Sequence, residues 1–129
     1  EFEVGNWGDL LKRSLAGSLQ MWGFSWAATT PDGGFFLGIG YGPNADQSND
    51  ARFALPAYDR LFEQQAVLPD GPERAALMRR AKAMLVAQMP YKVRLHTVQN
   101  DLLQPWAFGY RRHPFLRDEW ICSGVEATA

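Results

Sequence analysis

At 129 residues, 47% of them hydrophobic and 21% charged, the chain has the composition of one globular domain and the length to bury a core without a metal or disulfide framework. Thirteen basic against fourteen acidic residues leave a net charge of −1, and no lysine or arginine run exceeds two, so the electrostatic footprint of a nucleic-acid partner is missing. Cys122 is the single cysteine, which excludes an internal disulfide, and no apolar run approaches the ~20 residues that span a bilayer as a helix.

Glu1-Phe2 is what a common cloning site encodes, and residues 1–3 are set apart as a cloning scar. No basic and apolar leader opens the chain, so a signal peptide is expected to have been removed or to have lain upstream. Trp7, Leu10, Leu11, Ser14 and Leu15 recur at helical spacing behind Asn6, a good N-cap, and Gly17 stands where such a helix would close. Residues 19–26 are a dense aromatic and aliphatic run, which predicts a buried or half-buried strand. Thr29-Thr30-Pro31-Asp32-Gly33-Gly34 breaks it as a loop, and residues 43–50 are polar enough for an exposed, irregular connection.

From Pro56 onward Ala57, Tyr58, Leu61, Phe62 and Gln65 mark a helix that should stop near Pro69. Asp70 and Glu73 form a capping-box-like pair before the next helix. There Leu77, Ala81, Met84, Leu85 and Gln88 trace an inward stripe, Arg74, Arg79, Arg80 and Lys82 face water, and Pro90 ends the helix. Val93, Leu95 and Thr97 alternate with Lys92, Arg94 and His96, the period-two signature of a strand with one wet face. Trp106, Phe108, Tyr110, Phe115 and Trp120, punctuated by Pro105, Gly109 and Pro114, follow as an aromatic return segment without clear periodicity. The resulting fold class is mixed α/β: residues 19–26 and 91–98 are sheet strands, and the two middle helices cover one face.

The residues that could carry chemistry are few. Gly38-Ile39-Gly40-Tyr41-Gly42 lacks the Lys-Ser/Thr ending of a phosphate-cradling loop and runs into Pro43, so it reads as a glycine-rich turn. His96, His113 and Cys122 lack the short paired spacings of a zinc site. No serine sits in a Gly-x-Ser-x-Gly elbow, and nothing brings Asp32, Asp46 and Asp50 together as acid and base. No cofactor, metal or catalytic residue is expected, and the chain is not expected to be an enzyme. Trp22, Phe24, Trp26, Phe35, Phe36 and Tyr41 crowd one stretch that is either core or the apolar wall of a cleft, with Thr29, Thr30, Asp32 or Asn44 as its polar groups.

Trp26-Ala27-Ala28-Thr29-Thr30-Pro31-Asp32-Gly33-Gly34-Phe35-Phe36-Leu37 resembles a segment of bacterial extracytoplasmic solute-binding proteins, family 5, which serve peptide, oligopeptide and nickel ABC importers. Tyr58-Asp59-Arg60-Leu61, Glu73-Arg74-Ala75-Ala76-Leu77 and Met89-Pro90-Tyr91 follow in the family's order. The resemblance covers residues 4–120 and implies a C-terminal fragment holding part of one lobe of a two-lobed fold; residues 121–129 match nothing in it and read as an unmatched tail. It implies that the parent is periplasmic, captures a peptide or other small solute and delivers it to an ABC permease. The candidate solute-contacting residues are Trp26, at the head of the first segment, and the polar groups of the possible cleft, Thr29, Thr30, Asp32 and Asn44.

One departure stands out. Peptide-binding members often carry an aspartate after the Trp-x-Ala element to meet the α-amino group, and that position here is Thr29, which cannot supply a charge-assisted bond. A fragment lacking the other lobe is expected to be ligand-silent or weak, because closure supplies much of the binding. The alternative is a selected or engineered interaction domain that self-associates or meets a partner through exposed lobe surface.

Overall fold

The computed structural model describes residues 3–116 and 118–126. Glu1 and Phe2 of the expected scar and residues 127–129 of the expected tail lie outside these.

The chain opens with α1 (Trp7–Leu15), capped as its sequence predicts: the Asn6 side chain accepts from the Asp9 amide at 3.0 Å, and Gly17 closes the helix at φ 68°. The inward position Ser14 is buried and its hydroxyl donates to Asp50 at 3.0 Å, while Arg52 reaches back to the Leu15 carbonyl at 2.7 Å. A cation on the last carbonyls of a helix is favourably placed against its dipole.

The centre of the molecule is helical. α2 (Gly34–Leu37) runs into short 3-10 turns at Gly38–Gly40 and Gly42–Asn44, then α3 (Pro56–Ala66) and α4 (Pro72–Gln88) pack along each other. Leu37, Tyr58, Leu61 and Ala81 form the buried core, with Phe53, Leu55, Phe62, Leu77, Met78, Met84 and Leu85 packed around it. Tyr58 is fully buried, and its phenol donates to the Leu37 carbonyl at 2.6 Å, which ties α2 to α3. Gly40 is buried because Leu85 and Tyr58 occupy the space that a Cβ would need.

Several sequence expectations are corrected here. Residues 19–26 form no strand among the described residues: Trp22, Phe24 and Trp26 pack ring against ring along the chain instead of meeting a second strand. Residues 91–98 also remain unpaired, and Val93, Leu95 and Val98 face solvent. Period-two alternation specifies which face a strand would bury, but a strand forms only where a partner supplies the hydrogen bonds. Within the described residues the sheet is a two-stranded antiparallel pair, β1 (Ala107–Phe108) and β2 (Gly124–Val125), with Ala107 opposite Val125 and Phe108 opposite Gly124. The middle helices therefore cover each other and the α2 turn rather than a sheet.

The capping box does not form: Gly71 takes the N-cap without a side-chain bond, Pro72 starts α4, and Asp70 pairs instead with Arg74. Gln88 is exposed rather than inward. The connection 43–50 is not uniformly exposed, because Asn49 is fully buried and binds the carbonyls of Tyr41 and Phe53 at 3.1 and 2.8 Å. A side-chain amide that satisfies backbone groups inside a loop looks polar in sequence and is core in structure.

The accessible surface is 10275 Å², against about 6,900 Å² for a compact monomer of this size. Exposed apolar side chains are frequent after α4, where Val93, Leu95, Val98 and Leu102 are each more than 70% exposed.

Candidate functional site

The aromatic run after α1 builds a continuous ladder. Trp7 meets Trp22 at 5.2 Å between ring centroids, Trp22 stacks on Phe24 at 4.9 Å, and Phe24, Trp26, Phe35 and Phe36 continue it edge to face. Residues 22, 24 and 26 share a face, as their successive ring contacts show. The ladder carries the chain to Trp26, which is 39% exposed, and delivers the loop 29–34 to the end of the helical core.

That loop is fastened from below. The Asp32 carboxylate accepts from the Gly34 amide at 2.8 Å and pairs with Arg74 at 2.7 Å. Arg74, on the first turn of α4, also donates from Nε to the Gln65 backbone carbonyl at 3.1 Å and to its side-chain oxygen at 3.2 Å, and pairs with Asp70. Its side chain is only 14% exposed, which corrects its expected place on the wet face of the helix. The Arg74 guanidinium and the Gly34 amide hold the Asp32 carboxyl below the usual carboxylate range, and Asp32 and Asp70 together push Arg74 further up.

Two open concavities flank Pro31. One, of about 340 Å³, is lined by Pro31, Asp32, Gly33, Asp70, Arg74 and Met78. The other, of about 720 Å³, lies between Thr29, Thr30 and Pro31 on one side and the turn 113–116 on the other. His113 shapes that turn: its Nδ1 accepts from the amides of Phe115 and Leu116 at 3.2 and 2.8 Å. The larger concavity thus offers two exposed hydroxyls, an imidazole and the apolar surfaces of Pro31, Pro114, Phe115 and Leu116. An apolar wall with few polar groups suits a small organic solute.

The structure brings Thr29 and Thr30 to one concavity and turns Asp32 into the neighbouring one, onto Arg74. Trp26 stands behind the loop in the ladder, and the Asn44 amide donates to the Gly38 carbonyl at 2.9 Å; neither lines either concavity. Sequence reasoning missed two participants. Arg74 carried one signal, Asp70 four residues ahead of it, which marks an ion pair as readily as a cap. The turn 113–116 carried none, because its partner loop is some eighty residues upstream in sequence. Among the described residues, no group of three or more His, Cys, Asp or Glu side chains is placed to hold a metal ion.

No protein-family model and no solved structure matches the chain. Similarity to curated proteins extends over most of it. Heme-binding protein A of Haemophilus influenzae is 33% identical over 121 residues, 93% of this chain and 22% of the relative. Di/tripeptide-binding protein 2 of Pseudomonas aeruginosa is 29% identical over 110 residues, covering 84% of this chain, and a dipeptide-binding protein of the same species is 26% identical over 113 residues, covering 87%; each match spans 21% of the relative. The chain therefore spans about a fifth of the length of the relatives it matches. These relatives are named for what they bind and not for a reaction.

Proposed function

We propose that this chain, which belongs to the family of peptide- and heme-binding bacterial solute-binding proteins, is part of one lobe of a two-lobed periplasmic receptor that delivers a peptide-like solute to an ABC permease. Residues 4–120 are the lobe portion, and the loop 29–34 with the turn 113–116 is the face it turns toward solute. The observation that carries this reading is the larger concavity, where Thr29 and Thr30 stand exposed on a fastened loop opposite His113 and Phe115. The exposed apolar segment after α4 supports the same reading, since a longer chain has surface to cover it. The relatives' names lend nothing to a self-associating interaction domain, the other reading of the sequence.

An imidazole whose Nδ1 accepts from two backbone amides carries its proton on Nε2, so His113 offers the concavity a hydrogen-bond donor and not a metal ligand. An amide-resolved NMR titration of the chain with dialanine tests the reading. Because a second lobe supplies much of the binding in a hinge-closing receptor, dialanine is expected to bind only in the millimolar range, about −4 kcal/mol. Its shifts should centre on Thr29, Thr30 and residues 113–116. Shifts centred elsewhere, or none up to saturating dipeptide, would remove the solute from this face.

A further inference from the structure

Arg74 makes contacts that its position on a helix does not require. Its guanidinium joins three parts of the chain at once: the last turn of α3 through Gln65, the link before α4 through Asp70, and the loop 29–34 through Asp32. Gln65, its central acceptor, is 2% exposed, so the bond to the loop is anchored on the interior of the helical pair and not on a mobile surface group. The loop comes close enough for this because it carries no side chain where it touches. A Cβ on Gly34 would stand 3.1 Å from Asp32 Oδ1, 3.3 Å from Arg74 Nη2 and 3.4 Å from Gln65 Oε1, and one on Gly33 would meet Met78 at 2.9 Å.

We propose that Arg74 is a positioning residue for solute: by holding Asp32 against α3 and α4 it fixes the loop so that Thr29 and Thr30, and not a carboxylate, face the larger concavity. The consequence is chemical as well as geometric. Asp32 is the loop's only carboxylate, and with both its oxygens engaged by the Gly34 amide and Arg74 the loop meets solute with hydroxyls. A fixed bidentate-capable guanidinium suits this task better than a lysine, which can meet Asp32 but cannot also keep the Gln65 carbonyl in the same plane. That the positioned face meets solute rests on the function proposed above; the latch itself does not, and its test reads the latch alone.

The test is amide hydrogen exchange on the whole chain, comparing wild type with Arg74→Met, Arg74→Lys and Asp32→Asn. Exchange at Gly34 should rise about tenfold in Arg74→Met while the central amides of α3 hold theirs, the mark of a local opening. Arg74→Lys should recover part of that protection. Asp32→Asn leaves the contacts of Arg74 to Gln65 and Asp70 intact, so it reads the loop even if Arg74→Met fails to fold, and it should show the same selective loss. Unchanged exchange at Gly34 in Asp32→Asn, or an equal loss across α3 and the loop, would overturn the positioning role. If Gly34 behaves as expected but dialanine shifts do not reach Thr29, the latch stands and the solute assignment falls.

Discussion

Asn49→Ala is expected to cost the helical core more than any surface change. Asn49 is fully buried, its amide donates to the Tyr41 and Phe53 carbonyls at 3.1 and 2.8 Å, and its carbonyl oxygen accepts from the Phe53 amide at 3.1 Å. Truncation strips three backbone groups of their partner. A buried group left unsatisfied costs about 1–3 kcal/mol, and because Tyr41 and Phe53 are only partly buried the lower figure applies to each, giving roughly 3 kcal/mol in all. With a urea dependence of about 1–3 kcal/mol per molar for a small domain, the midpoint followed by far-ultraviolet circular dichroism should fall by roughly 1–3 M. Asn49→Asp keeps the acceptor but faces a carboxylate toward two carbonyls, so it should be at least as damaging. A midpoint shift below roughly 0.3 M for Asn49→Ala, well under one net hydrogen bond, would refute the view that this residue organises the connection 43–50.

Two other perturbations probe the latch and the core. Because Arg74 and the Gly34 amide depress the Asp32 carboxyl, its contribution to stability should be complete above the unfolded value of about 3.9 and lost as pH falls through the lower folded value. A carbon-detected titration of the Asp32 carboxyl checks this, and a midpoint at or above the ordinary value would contradict the pair. Gly40→Ala would place a methyl 2.5 Å from Leu85 and 3.0 Å from the Tyr58 hydroxyl, so overpacking should cost about 1–3 kcal/mol in the same urea assay; no loss would mean that α4 can yield there.

Helices α1, α3 and α4 were legible because their signals are local, whereas the four-residue α2, set among glycines, was not. Asn6, Pro56 and Pro90 punctuate the chain where α1 and α3 begin or where α4 is over, and the 3.6 period behind them chooses the inward face. The strands were not legible in the same sense. Residues 19–26 and 91–98 have the alternation of strands, but pairing is a property of two segments, and within the described residues neither segment has a second to pair with. The site was half legible. Thr29, Thr30 and Asp32 are picked out as the polar groups beside an aromatic-rich stretch, whereas Arg74 and His113 join them only through the fold. Arg74 in particular sits among arginines that do face water, and only the acceptors of Gln65 and Asp32 distinguish it from Arg79 and Arg80.

The most direct test of the solute assignment is Thr29→Asp, titrated with dialanine and with N-acetyl-dialanine and followed by amide shifts of the loop 29–34. If this position faces the amino end of a peptide, the new carboxylate should tighten dialanine by about tenfold, the size of a charge-assisted hydrogen bond in a partly open site, and leave the acetylated peptide unchanged. Equal affinities for wild type and variant, or an equal gain for both peptides, would contradict the account by showing that Thr29 does not look onto the solute.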